Sequence, residues 1–84
     1  MFLHVTEVRH LGGYALRVEF DNGASKVVDF SGELHGEVFE PLRDPEMFRR
    51  AAVDPETGTV AWPNGADFAP EFLFEIGRAV QHSA

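Results

Sequence analysis

The chain has 84 residues, 44% apolar and 25% charged, with no cysteine, which sizes it as one small domain (residues 1–84) with a thin core and excludes disulfide frameworks, thiolate metal sites and cysteine nucleophiles. Its formal charge of −7 is evenly spread: Arg9, Arg17 and Lys26 face seven acids in residues 1–42, and Arg43, Arg49, Arg50 and Arg78 face seven in the remainder. A phosphate backbone needs clustered cations to displace its counterions, and only Arg43, Arg49 and Arg50 cluster along the chain, so direct nucleic-acid binding is not expected; a basic protein partner suits the charge better, although the plainer reading is that the excess acid keeps the protein soluble.

Residues 1–11 read as a first strand with Phe2, Leu3, Val5 and Val8 as its apolar positions. Gly12-Gly13 suits a two-residue hairpin turn. The period-two alternation of Tyr14, Leu16, Val18 and Phe20 with Ala15, Arg17 and Glu19 predicts a strand buried on one face. Asp21-Asn22-Gly23 is a hairpin signal, and residues 24–30 return as a third strand with Val28 and Phe30 on one face. These three strands make an antiparallel meander.

Residues 31–36 read as a loop, and residues 37–42 as a helical turn ended or kinked by Pro41. Asp44-Pro45-Glu46 predicts a helix start, with Asp as N-cap and Pro at the first position; Met47, Phe48 and Ala51 form its apolar face. Residues 52–54 and 59–62 read as two short strands around the turn Pro55-Glu56-Thr57-Gly58. Pro63-Asn64-Gly65 stops the second of them.

Pro70 predicts the start of a final helix, with Asp67 or solvent serving its free amides because Ala69 is a poor cap. Phe72, Leu73, Ile76 and Val80 form its stripe; Phe74 falls off the stripe, as an exposed residue or a contact to a second protein. Gly77 admits a close neighbour or weakens the helix, and residues 81–84 read as a frayed end. The expected fold is α+β: a mostly antiparallel sheet, from a three-stranded meander and two short strands, with a short middle helix and a C-terminal amphipathic helix on one face.

Chemistry-bearing patterns are sparse. His4, His10, His35 and His82 show no i, i+4 pair, so no metal site is expected. Ser25, Ser31 and Ser83 lie in no nucleophile motif, and Asp21, Asp29, Glu33 and Asp67 lack a visible partner for acid–base work. The glycines match turn and loop needs, with no phosphate-cradling motif. An enzyme is not expected, nor a cofactor. Apolar runs fall short of a membrane span and the N-terminal residues lack a basic n-region followed by an h-region, so a cytoplasmic protein is expected.

The most distinctive stretch is Trp62-Pro63-Asn64-Gly65-Ala66-Asp67, which holds the one tryptophan. Its architectural reading is a core plug, a turn and a helix-start carboxylate. Its functional reading makes Trp62, Asn64 and Asp67 the rim of a binding patch, since tryptophan anchors interfaces.

The strand Tyr14–Phe20, the turn and strand from Asn22-Gly23 to Phe30, the segment Val38–Asp44, and above all Thr59–Asp67 resemble the small bacterial family called domain of unknown function 2442. The resemblance runs from about Val5 to Val80 and implies an α+β domain. Members of that family look like stand-alone small proteins or like domains followed by a helix-turn-helix, and some are encoded beside a second small protein in pairs resembling toxin–antitoxin modules. This chain ends at residue 84, without room for a DNA-reading helix. The expectation is a non-enzymatic interaction or regulatory module, an antitoxin-like half of a pair whose partner is a basic, toxin-like protein. The alternatives are a ligand-sensing or transcription-associated domain acting with a separate DNA-binding partner, and a small metal- or carboxylate-dependent enzyme. A thin core and open sheet edges also favour a homodimer.

Overall fold

A computed structural model describes residues 2–80; the frayed end expected at 81–84, with His82, lies outside them. Strands β1 (Val5–Gly12), β2 (Ala15–Phe20) and β3 (Ser25–Asp29) form the meander that the alternation predicts. The first turn lies one residue later than Gly12-Gly13: Gly12 pairs with Ala15, so Gly13-Tyr14 make the turn, and the register slips between His10 and Gly12. In the second turn the Asn22 side chain accepts from the Ala24 amide at 3.0 Å, the Asx turn that short polar side chains form.

Beyond β3, a 3₁₀ turn (Glu40–Arg43) leads into helix α1 (Pro45–Phe48). Pro41 stands at the start of that 3₁₀ turn, where its missing N–H costs nothing, and does not terminate it. Asp44 caps α1 as expected, accepting from the Glu46 amide at 3.0 Å. Strands β4 (Ala52–Asp54) and β5 (Thr59–Ala61) pair as a separate two-stranded hairpin.

Helix α2 is shorter than its apolar stripe suggests. It spans Pro70–Ile76, and the chain turns at Gly77 into a sixth strand, β6 (Arg78–Ala79). Val80 therefore belongs to the sheet side of the turn, donating its amide to the Ser25 carbonyl at 3.1 Å. Two contacts cause the switch. A Cβ at position 77 would sit 2.9 Å from both the Leu73 carbonyl and the Lys26 side chain, so only glycine lets β3 approach here. Lys26 Nζ also donates to the Phe74 carbonyl at 2.6 Å, satisfying a carbonyl left free at the helix end. The large sheet is thus four-stranded and antiparallel, in the order β1-β2-β3-β6.

The core lies between one face of this sheet and the segment from Leu34 to the end of α2. Leu16, Val18, Phe20, Val28 and Phe30 meet Leu34, Leu42, Phe48, Val60, Trp62, Ala66 and Leu73. Phe30 is its hub, with ring centroids of Phe48, Trp62 and Phe68 at 5.6, 5.8 and 5.3 Å, within the range where aromatic pairs add to area burial. Phe74 is drawn into the same layer. Its ring meets Phe20 edge-on at 5.3 Å and lies under Lys26 Nζ at 3.8 Å, because α2 lies against the β3 side of the sheet. Every buried side-chain polar atom among the described residues has a hydrogen-bond partner. No described helix is long and apolar enough to cross a membrane.

Candidate functional site

The segment Trp62–Asp67 is built as a closed turn. The Trp62 amide donates to the Ala66 carbonyl and the Gly65 amide to the Trp62 carbonyl, both at 2.9 Å. Asn64 holds the turn from inside and outside: its Oδ1 accepts from the Ala66 amide at 3.1 Å, and its Nδ2 donates to the Val38 carbonyl at 2.9 Å. Trp62 is 4% exposed, and its Nε1 donates to the Phe48 carbonyl at 2.8 Å, tying α1 to the end of β5. Asp67 bridges Ala61 through extended backbone. That placement stops it two residues short of the cap position: α2 begins after Ala69 with no side-chain cap.

The structure therefore places the three residues read as a patch in different roles. Trp62 lies in the core, Asn64 has both ends of its amide engaged, and Asp67 keeps an exposed carboxylate without a hydrogen bond or ion pair among the described residues. The neighbouring Thr59 is buried and donates its hydroxyl to the Phe68 carbonyl. The Thr59–Asp67 motif is thus mainly the hinge pin of the second half of the chain.

The histidines do not converge. His4 Nδ1 pairs with Asp21 Oδ2 at 3.0 Å on the surface, and the His4 amide donates to Asp21 Oδ1 at 3.2 Å. These bonds, the backbone one first, hold the Asp21 carboxyl below the usual aspartate range. His10 Nε2 lies 3.0 Å from the Gly13 carbonyl and its ring packs on Phe48; His35 is exposed in its loop. Among the described residues no three His, Asp or Glu side chains gather as a metal site would require.

A different surface emerges on the other face of the large sheet, which no described element covers. Residues directly opposite each other in the ladder share a face. Glu7 lies opposite Glu19, which lies opposite Ser25; Arg9 lies opposite Arg17, which lies opposite Val27, which lies opposite Arg78. The open face therefore carries an acidic row, Glu7-Glu19, beside a basic row, Arg9-Arg17-Arg78. Glu7, Glu19, Arg9 and Arg17 line a shallow depression of about 240 Å³. Among the described residues none of these side chains forms an ion pair. Glu19 accepts from the Ser25 hydroxyl, and that bond, opposed by partial desolvation and aided by Arg17, lowers its pKa. Sequence reading missed this row because its arginines are scattered at positions 9, 17 and 78; the strand register is the signal that collects the first two.

Among solved structures, a Nitrosomonas europaea chain named a "Putative DNA Binding Protein" is similar, with 27% identity and a TM-score of 0.77. The likeness covers 90% of this chain and 49% of that one, so this chain spans about half the length of its structural relative. No curated protein matches. Residues 5–79 match the family described as "Protein of unknown function (DUF2442)", including the Tyr14–Phe20 strand and the Thr59–Asp67 turn, and the chain is a member of that family.

Proposed function

We propose that this chain is a non-enzymatic interaction module, the regulatory half of a two-protein pair. The observation that supports it best is the open face of the sheet. A small domain has left four strands uncovered and furnished them with charged side chains that find no ion-pair partner among the described residues. Opposite charges on a second protein would be recognised there, with fast, salt-sensitive encounter. The test is to mix the purified chain with the product of the adjacent gene and run size exclusion at micromolar concentration. Co-elution is expected; separate migration sinks this reading.

A second reading is favoured by the structural relative. This chain matches about half of a protein whose name refers to DNA binding, so the fold would serve as the controlling half of a DNA-associated assembly, with DNA contacts made by a separate partner. A net charge of −7 and a basic row lying beside Glu7 and Glu19 disfavour direct phosphate contact. Mobility-shift assays would then retain DNA only when the partner is present; retention by this chain alone would overturn it.

A further inference from the structure

The two charged rows have an unusual layout for a solvent face. Opposite charges placed directly across a ladder stabilise a sheet, and like charges placed there destabilise it. Here Glu7 faces Glu19 and Arg9 faces Arg17 across the same pair of strands. Exchanging the two residues on either strand would give two favourable cross-strand pairs. The present order instead separates the signs into rows about 7 Å apart along the strands, two residues at about 3.4 Å each.

Such a face is complementary to itself. Consider a second copy turned about a two-fold axis that runs along the rows, midway between them and in the plane of contact. The turn reverses the strand direction and keeps the order across the sheet. Each acidic row then lies over the other copy's basic row: Glu7 meets Arg9, Glu19 meets Arg17, and both contacts occur twice, as an isologous interface requires. Ser25 meets Val27 in the same operation, so no like charges within the two rows are brought together. Packed sheets keep their strands within about 30° of each other, a rotation that rows this short tolerate.

We infer that the open face of the β1-β2-β3-β6 sheet is a self-association surface, on which a second copy of this chain seats its acidic row over the basic row of the first. The contact goes beyond the two-protein reading, because its occupant is the same chain. It falls in the class of small, transient interfaces, below about 1,200 Å² of total buried area. Its attraction is carried by exposed charges, so salt weakens it.

The experiment is sedimentation velocity on the whole chain over a concentration series into the millimolar range, at low and high salt. A concentration-dependent dimer at low salt, weakened at least about tenfold at high salt where the Debye length falls toward 3 Å, is expected. Two charge-swapped chains locate the contact. Glu7→Lys with Glu19→Lys makes the face wholly basic, and Arg9→Glu with Arg17→Glu makes it wholly acidic. Each is expected to remain monomeric alone, and an equal mixture to form a heterodimer tighter than the wild-type dimer. Thermal melts check that both swapped chains are folded; the salt series on the wild type stands if either is not. A wild-type chain that stays monomeric throughout overturns the inference. So does self-association that either swap leaves unchanged, or a mixture that fails to associate. Co-elution with the adjacent gene product is scored separately, so loss of the homodimer leaves the two-protein reading standing, and the reverse.

Discussion

The two faces of the large sheet use side chains in opposite ways. On the inner face Leu16, Val18, Val28 and Phe30 are wholly buried, and the polar groups around them are paired. On the outer face Glu7, Arg9, Arg17 and Glu19 are close neighbours whose charges are not joined as ion pairs. The inner face carries the packing that holds the fold, and the outer face carries charges that the packing does not use.

Substitutions on the inner side should break this contrast most visibly. Trp62→Ala removes a core aromatic and its hydrogen bond to the Phe48 carbonyl, so a loss of about 3–5 kcal/mol is expected in urea unfolding followed by circular dichroism. Against a total of roughly 4–12 kcal/mol for a chain of this length, that is a large share of the stability. A near-normal midpoint would show that Trp62 is not the pin described above.

Gly58→Ala should come next. Gly58 has φ +69°, and a Cβ there would collide with the His4 ring. The left-handed backbone alone costs about 1–2 kcal/mol, and the displaced ring gives up its pairing with Asp21. A thermal melt measures the first, and the His4 ring resonances the second. Asn64→Ala removes the hydrogen bonds to Ala66 and Val38 and should cost about 1 kcal/mol, on the partly wet surface of the turn.

Acid provides a finer probe. The carboxyls of Asp21, Asp29 and Glu19 are all lowered: Asp21 by the His4 amide and ring, Asp29 by the backbone amide of Ser31 and then its side chain, and Glu19 by the Ser25 hydroxyl. A carboxyl with a lower pKa when folded stabilises the fold above its unfolded pKa, and that contribution is lost as pH falls through the folded value. Stability should therefore decline as the pH drops below about 4, and Asp21→Asn should flatten part of that decline. The smallest effect on stability is expected outside: Arg9→Glu with Arg17→Glu should move the unfolding midpoint by no more than about 0.5 kcal/mol. A loss as large as that from Trp62→Ala would erase the distinction between the faces.

The meander, the Asp44-Pro45 helix start, the β4–β5 hairpin and the α+β class were legible because each rests on local chemistry. Period-two burial marks a strand, and turn residues mark its ends. Phe74 and the end of α2 were not legible. The stripe Phe72, Leu73, Ile76 and Val80 is locally helical, yet Lys26, 51 positions before Gly77 in the chain, captures the helix end and draws Arg78-Ala79 into the sheet. Nor were the roles of Trp62, Asn64 and Asp67 separable, since all three suit either a turn or a patch. Only the tertiary structure brings the Phe48 and Val38 carbonyls, contributed from elsewhere, to the first two.

The sequence by itself determined the periodicities, the order of elements as far as the start of the last helix, and the inner face, because hydrophobic alternation and backbone preference act over a few residues. The tertiary structure alone decided where the helix ends, which polar atoms the distinctive turn engages, and that arginines 9, 17 and 78 stand in one row beside Glu7 and Glu19. Those depend on register between distant strands, where a single-residue slip would turn every side chain to the opposite face.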